Sequence, residues 1–167
     1  MDIVSKVLKG DKRSIARLIT LIEEQSDEAR NLLKQLYKFT GNAITIGITG
    51  PPGAGKSSIV NLFAKKLRES NKKVGILAID PTSPFTGGAL LGDRIRMQDL
   101  TLDEGIYIRS MGSRGSLGGL SRASYDAVKV LDAAGMDYII IETVGVGQSE
   151  VDIIKLADIV ILVLIPG

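Results

Sequence analysis

The sequence GPPGAGKS carries the clearest chemical signal in the chain. Its members are Gly50, Pro51, Pro52, Gly53, Ala54, Gly55, Lys56 and Ser57, and they match the pattern GxxxxGK[ST]. An apolar segment ends just before this motif and an amphipathic one follows, which is the strand, loop and helix context that the pattern requires. The alternative is a glycine-rich turn that caps an ordinary helix, but such a turn would not require lysine and serine at these two positions.

This motif predicts a binding site for the phosphates of a nucleotide. Glycines let backbone N–H groups turn toward a diphosphate, and the N-terminus of the following helix adds the positive end of its dipole. Lys56 supplies a mobile positive charge, the Ser57 hydroxyl can ligate Mg2+, and Ser58 is placed to donate to the α-phosphate. The motif therefore predicts phosphate and magnesium binding without any covalent step.

Acidic residues after the second apolar segment are candidate magnesium ligands. Asp80 directly follows residues 74–79, at the sheet edge where the glycine-rich loop is expected. It can hold Mg2+ directly or through water, because Mg2+ prefers oxygen ligands and keeps several waters. The alternative is a helix cap or turn residue before Pro81. Asp93 follows a Gly-Gly pair, and the residues alone do not decide between a ligand and a solvated helix residue.

A third candidate segment follows the very apolar residues 138–141. It comprises Glu142, Thr143, Val144, Gly145, Val146, Gly147 and Gln148. Beside a phosphate-binding loop, an acid at this strand end approaches Mg2+ and the attacking water, and Gly145 can offer its N–H to the γ-phosphate. Glu142 is thus a candidate catalytic and metal-binding residue. Lys56 is the other candidate catalytic residue. The alternative is a charged strand end followed by a glycine loop.

Several arginines lie near glycine-rich and serine-rich stretches. Arg109, Arg114 and Arg122 can neutralise a phosphate or a partner, or they can belong to a solvated basic loop. Arg94 and Arg96 present the same choice, and either can stabilise charge in a transition state.

The elements that must position these residues alternate between strand and helix. Strands are predicted at 43–49, 74–79, 106–108, 138–141 and 159–165, and helices at 57–70, 89–100, 121–134 and 149–157. This alternation predicts an α/β fold, a mostly parallel sheet with helices on both faces. Residues 1–41 precede this pattern and are predicted to form three short amphipathic helices as an N-terminal extension. Residues 42–167 are predicted to form the nucleotide-binding domain.

Composition excludes several kinds of chemistry. The 167 residues contain no Cys and no His, which excludes a disulfide framework, a Cys/His zinc site and a Ser-His catalytic pair. The net charge of +2 is too small for binding nucleic acid or an anionic membrane mainly through the protein's field. No signal peptide or membrane-spanning run is recognisable, so a cytoplasmic protein is expected.

The chain resembles the N-terminal part of the methylmalonyl-CoA mutase-associated GTPases of the MeaB/ArgK type, also described as lysine/arginine/ornithine transport ATPases. The resemblance runs through residues 8–11, 18–23, 46–57, 78–84, 87–97, 108–115 and 142–150. It implies a P-loop GTPase fold with GTP as substrate and Mg2+ as cofactor, in which Lys56 contacts the phosphates and Ser57, Asp80 and Asp93 surround the metal, with Glu142 added from its position at the strand end. Residues 84–97 would form the first switch, and the segment ending in Gln148 would form the second.

The same resemblance implies a metallochaperone for an adenosylcobalamin-dependent mutase. Family members continue into an NKxD base-recognition motif and a dimerisation arm, and neither is found in this sequence. Two alternatives therefore remain at this stage: a nucleotide-binding module without efficient turnover, and an ATPase or small-molecule kinase.

Overall fold

The structure, a computed structural model that describes residues 1–80, 98–112, 122–145 and 149–167, has a parallel sheet at its centre. In these residues the sheet has five strands: β1 (Ile44–Thr49), β2 (Val74–Asp80), β3 (Ile106–Gly112), β4 (Tyr138–Thr143) and β5 (Ile159–Leu162). Their order is β3-β2-β4-β1-β5, and every pair is parallel. All the carboxyl ends therefore lie at one edge of the sheet.

Helices cover both faces of this sheet, which confirms the predicted α/β architecture. They are α1 (Ile3–Leu8), α2 (Lys12–Glu23), α3 (Asp27–Leu36), α4 (Lys56–Glu69), α5 (Gln98–Thr101), α6 (Arg122–Ala133) and α7 (Ser149–Leu156). Val60 of α4 and Leu100 of α5 pack in one core with Ile140 of β4. Ile139, the preceding residue of β4, packs on the opposite face in the core that α1, α2, α3, α6 and α7 cover. Such strands are apolar throughout because both of their faces are buried.

The N-terminal helices begin at side-chain caps. Asp2, Asp11 and Ser26 each accept a hydrogen bond from the backbone N–H three residues later, which satisfies a donor that the helix itself leaves unpaired. The apolar side of α2 contributes the fully buried Leu18 to the same core as Leu131 of α6. The helical segment is thus continuous with the core of the sheet, and the domain boundary at residues 41–42 stays a prediction.

A carboxylate of α6 fixes the connection from the helical segment to β1. Asp132 accepts hydrogen bonds from the backbone N–H groups of Gly41, Asn42 and Ala43, at 2.8, 3.2 and 3.1 Å. Three donors converging on one carboxyl group hold the chain where it turns into the sheet, at the edge opposite the strand carboxyl ends.

Most elements lie within two residues of their predicted bounds, and three of them differ by three residues or more. β3 extends to Gly112 rather than ending at residue 108, and β5 ends at Leu162 rather than at residue 165. The predicted helix over 89–100 is observed only as Gln98–Thr101 at its end, and its other residues lie outside the described part of the chain.

The extension of β3 corrects the interpretation of Arg109. This residue lies inside β3, and its guanidinium donates to the Ala16 carbonyl, the Thr20 hydroxyl and the Glu23 carboxylate of α2, at 3.1–3.3 Å. It is therefore neither a solvated loop residue nor a phosphate ligand here, because its donors face the helical segment. Arg122 is exposed at the start of α6, and Arg94, Arg96 and Arg114 lie outside the described residues.

One edge of the described sheet is apolar and exposed. Ile159, Val160 and Leu162 of β5 are 50%, 38% and 59% exposed, and Leu164 and Ile165 continue the apolar surface beyond the strand. Across the described residues, no helix combines the length and hydrophobicity that crossing a bilayer would demand.

Candidate functional site

The glycine-rich loop connects β1 to α4 at the carboxyl edge of the sheet. Gly50, Gly53 and Gly55 have φ angles of 145°, 79° and 93°, in the region that L side chains rarely adopt. At Gly50 a side chain would also meet the Val163 carbonyl, so this position requires glycine for both reasons. Pro51 and Pro52 are exposed and lack an N–H, so the backbone donors of the loop come from its later residues.

The start of α4 supplies the positive end of a helix dipole. Gly55 is the N-cap residue and makes no side-chain capping bond, and Lys56 and Ser57 form the first turn. The first N–H groups of an α-helix have no partner within the helix, and they are suited to binding an anion. Ser58 is exposed in the same turn.

Lys56 is buried, with only 6% of its surface exposed. Its ammonium group donates to the carbonyl oxygens of Gly50 and Pro51, at 2.8 and 3.1 Å. The lysine that the sequence predicts as a mobile charge is thus held by carbonyls of its own loop. These bonds place a full positive charge inside the curve of the loop.

Ser57 and Glu142 meet across the site. The Ser57 hydroxyl donates to Glu142 Oε1 at 2.8 Å, which connects the first turn of α4 to the end of β4. The pair exists because β4 is the direct neighbour of β1, with Glu142 in register with Ile48. Residues that are 85 positions apart in sequence are therefore brought into contact.

Gly145 lies against the phosphate-binding loop. Its φ is 85°, and a Cβ added there would collide with the Gly50 carbonyl oxygen and lie 3.2 Å from Lys56 Nζ. Any other residue would be strained by its backbone angle and would also push the two loops apart. The loop after β4 thus contacts the loop after β1 directly, beside the lysine charge.

A second polar contact lies on the other face of β4. The buried Thr143 hydroxyl donates to Glu150 Oε1 in the first turn of α7, at 2.7 Å, and Thr49 Oγ1 lies 3.5 Å from it. No role was predicted for Thr143 or Glu150 from the sequence. No spacing rule marks such a pair, because the contact depends on where α7 returns to the sheet.

The predicted magnesium ligands lie partly within and partly outside the described residues. Asp80 ends β2, with its backbone at the same edge as Glu142, since Ala78 is in register with Glu142. The side chain of Asp80 and the whole of Asp93 and Gln148 lie outside the described residues. Within the described part, no group of three or more acidic, His or Cys side chains is placed to hold a metal. The set of metal ligands therefore stays a prediction. Of its members, Ser57 and Glu142 are in contact in the structure.

The parallel sheet, with a glycine-rich loop between its first strand and a helix and an acidic strand end beside it, defines the P-loop NTPase fold. Residues 15–167 match the family described as "Methylmalonyl Co-A mutase-associated GTPase MeaB". The chain belongs to this family.

Individual relatives agree with this assignment. A Pyrococcus abyssi protein named as a GTPase is 58% identical over 166 residues, which cover 99% of this chain and 51% of that protein. The mouse "Methylmalonic aciduria type A homolog, mitochondrial" is 38% identical over 96% of this chain and 42% of its own length. A crystal structure described as "LAO/AO transport system kinase" matches with a TM-score of 0.79 and 30% identity, over 97% of this chain and 48% of that one. The chain thus spans about half the length of the relatives it matches.

Proposed function

We propose that this protein binds and hydrolyses GTP with the help of Mg2+. The observation that carries the proposal is the joint placement of Lys56, Ser57 and Glu142 around one loop, with Ser57 Oγ 2.8 Å from Glu142 Oε1. A positive charge, helix N–H donors and oxygen ligands are the groups that phosphoryl transfer needs, since its catalysis is mainly positioning and electrostatic stabilisation.

The donor set fits magnesium. Mg2+ binds oxygen ligands at 2.0–2.1 Å in an octahedron, so adjacent ligands lie about 2.9 Å apart. The oxygens of Ser57 and Glu142 lie 2.8 Å apart, and one cation can therefore bind both. When bound, Mg2+ would neutralise charge on the phosphate oxygens. Ser57 and Glu142 would hold it, with Asp80 and Asp93 as the further proposed ligands.

The chain's own groups have distinct tasks in this proposal. N–H groups from Gly53 to Ser58 bind the phosphates, and Lys56 stabilises the charge that develops on the transferred group. Gly145 offers its N–H to the terminal phosphate, and Gln148 belongs to the same segment. Glu142 orients the attacking water. Each of these proposed roles is open to direct test by substitution.

Guanine as the base and a mutase as the partner are supported by the relatives. The family's description names a GTPase associated with methylmalonyl-CoA mutase, and the mouse relative is named for methylmalonic aciduria. We therefore propose that GTP turnover serves an adenosylcobalamin-dependent acyl-CoA mutase, as a chaperone for its cofactor. The relatives extend over about twice the length of this chain, so partner binding is proposed for the whole protein.

Equilibrium binding tests the nucleotide proposal. We would titrate the chain with fluorescent GDP and with a non-hydrolysable GTP analogue and its ATP counterpart, in Mg2+ and in EDTA. We expect binding that falls at least about tenfold, or about 1.4 kcal/mol, in Lys56→Ala. Unchanged affinity in that variant would refute the site. Equal affinity for the two bases would assign the chain to phosphate recognition without guanine selectivity.

Turnover is tested separately by phosphate release. We expect a slow rate that Glu142→Gln lowers further, with nucleotide still bound. A wild-type rate no higher than that of Lys56→Ala, with intact nucleotide binding, would make the chain a nucleotide-binding module instead.

A further inference from the structure

Two consecutive residues of β4 tie the end of this strand to two different helices. Glu142 accepts a hydrogen bond from Ser57 of α4 on one face of the sheet. Thr143 points to the other face, because successive side chains of a strand alternate, and donates to Glu150 of α7. The first contact belongs to the proposed metal site. The second has no part in the function proposed above.

The contact between Thr143 and Glu150 joins the end of β4 to the start of α7. The two partners are seven positions apart in the sequence, and their hydrogen bond holds the chain at Thr143 and at Glu150 at the carboxyl edge of the sheet. Gly145 lies between them in the sequence and packs against the Gly50 carbonyl beside Lys56. Any movement of the start of α7 away from β4 would therefore change the placement of Gly145 beside the lysine charge.

The environment of the contact makes it strong. Thr143 is 2% exposed and Glu150 is half-buried, and the donor and acceptor oxygens are 2.7 Å apart. Hydroxyl-to-carboxylate bonds of this length are charge-assisted, and partial burial strengthens them further. Glu150 also lies in the first turn of α7, where a negative charge is favourable.

We propose that Thr143 and Glu150 form a latch that positions Gly145 beside the phosphate-binding loop, and that the latch is needed for tight binding of a nucleoside triphosphate but not of a diphosphate. The inference rests on the proposed function, since it concerns the same site. Lys56 and the start of α4 bind the phosphates common to both nucleotides. The segment that carries Gly145 approaches the loop from the neighbouring strand, and only the additional phosphate requires it. Both latch residues are positioning residues rather than catalytic ones.

A set of threonine substitutions tests the latch. Thr143→Val removes the donor and preserves the shape of the side chain, whereas Thr143→Ser retains a hydroxyl. The matched control is Thr45→Val, which makes the same exchange at a buried position near the amino end of β1. For Thr143→Val, we expect the Kd of the Mg2+-bound GTP analogue to rise about tenfold and the Kd of GDP to change less than about twofold. Thr143→Ser should restore most of the loss.

Hydrogen exchange gives a readout that needs no nucleotide. In Thr143→Val and in Glu150→Ala, backbone amides of residues 144–150 should exchange faster than in the wild type, while those of β1 and α4 should not change. Thr45→Val should leave the 144–150 segment at the wild-type rate. Because effects of residues in direct contact are not additive, the double variant should lose little more triphosphate affinity than either single variant.

Several outcomes would overturn the latch. Equal losses for GDP and the triphosphate analogue would show a purely structural role, and unchanged exchange at 144–150 would show that the bond does not hold the segment. A wild-type chain that binds neither nucleotide would overturn the latch together with the proposed function. A wild type that binds both, with Thr143→Val keeping its triphosphate preference, would overturn the latch alone.

Discussion

Gly145 is the residue whose side-chain size decides how closely the two phosphate-side loops approach. Its positive φ alone would make an alanine strained, and the nearby Gly50 carbonyl leaves no room for a Cβ. Gly135 also has a positive φ, of 90°, but a Cβ there would meet nothing within 4 Å. A substitution at Gly135 therefore tests the backbone strain alone, and the same substitution at Gly145 tests the strain together with the steric clash.

We predict that Gly145→Ala weakens nucleotide binding far more than Gly135→Ala. Both variants should lose about 1 kcal/mol of stability from the backbone angle, since a non-glycine residue is disfavoured there. Gly145→Ala should in addition lower affinity for the triphosphate analogue about tenfold, as the displaced loop moves away from Lys56. Thermal unfolding and nucleotide titration of the two variants provide the measurement. Equal affinities in the two variants would contradict the close approach.

Asp103 carries a charge that links acidity to stability. It accepts a 2.9 Å bond from Arg68 Nε and a 2.8 Å bond from the Gly105 N–H. The bond from Arg68 is the main cause that lowers the pKa of Asp103 below its ordinary value of 3.8, although partial burial acts in the opposite direction. A lowered pKa in the folded state means that the carboxylate stabilises the fold above pH 3.8 and stops doing so as the pH falls further.

We predict that Asp103→Asn lowers the unfolding free energy by about 1 kcal/mol near neutral pH, because the ion pair is partly solvated. The difference from the wild type should shrink as the pH falls through 3.8 and below, because the unfolded chain takes up a proton at Asp103 more readily than the folded protein does. Urea unfolding at a series of pH values measures it. A difference that grows on acidification would reverse the assigned sign.

At the scale of elements, the contact between α2 and β3 carries the helical segment's main polar link to the sheet in the described residues. Arg109 forms an ion pair with Glu23 at 3.3 Å, and their side chains are 19% and 26% exposed. One guanidinium nitrogen, Nε, is buried and finds no hydrogen-bond partner among the described residues. Contacts with α2 thus fix the Arg109 guanidinium, and its partial removal from water costs free energy. The ion pair therefore orients α2 on β3 more than it stabilises the fold.

We predict that Arg109→Ala destabilises the protein by about 2 kcal/mol, because it leaves Glu23 partly buried without its partner. Nucleotide affinity should stay within about twofold of the wild type, since the guanidinium faces α2 and not the phosphate-binding loop. The exposed Arg30→Ala provides the control, with little change in either quantity. A large loss of nucleotide affinity in folded Arg109→Ala would restore the phosphate role that the sequence left open.

The order of strands and helices was predictable because the sequence repeats one physical pattern. Residues 139–141 are apolar throughout and are buried from both faces, and the same holds for most of β1 and β2. β3 was underestimated because Arg109 and Ser110 interrupt its apolar pattern. A polar residue inside a strand is accommodated only when a particular neighbour, here α2, supplies its partners.

The site was predictable only in part, for a similar reason. The residues of GPPGAGKS are contiguous in the sequence, so Lys56 and Ser57 could be assigned from their spacing alone. Glu142 required the additional expectation that β4 lies beside β1, which the register confirms. Thr143 and Glu150 could not be found, because their contact depends on the angle at which α7 packs.

At the scale of the whole molecule, β5 forms an apolar and exposed edge of the sheet in the described residues. Ile159, Leu162 and Leu164 are each at least half exposed, and β5 offers unpaired backbone groups along one side. Exposed apolar edge strands pair readily with other chains unless charges or other elements block them.

We predict that this 167-residue chain self-associates through β5 as its concentration rises. Leu162→Lys combined with Leu164→Lys should reduce the association by at least about tenfold, because a charge at the edge resists strand pairing. Lysine at the exposed Leu102, which lies away from the edge strand, is the matched control. Sedimentation velocity over a range of concentrations measures the effect, and association that persists in the double variant would place the contact elsewhere.

The position of β4 in the sheet has a consequence for biosynthesis. β4 separates β1 from β2, so neither of these earlier strands has the other as a neighbour, and β1 gains its first partner only with residues 138–143. The N-terminal helices likewise lack Leu131 of α6 until late in synthesis. The ribosome therefore synthesises more than a hundred residues before β4 can pair with β1 and β2. Contacts between residues so far apart in the sequence form slowly. Nascent chains that stop before β4 should remain sensitive to protease, while those extending through β5 should become resistant.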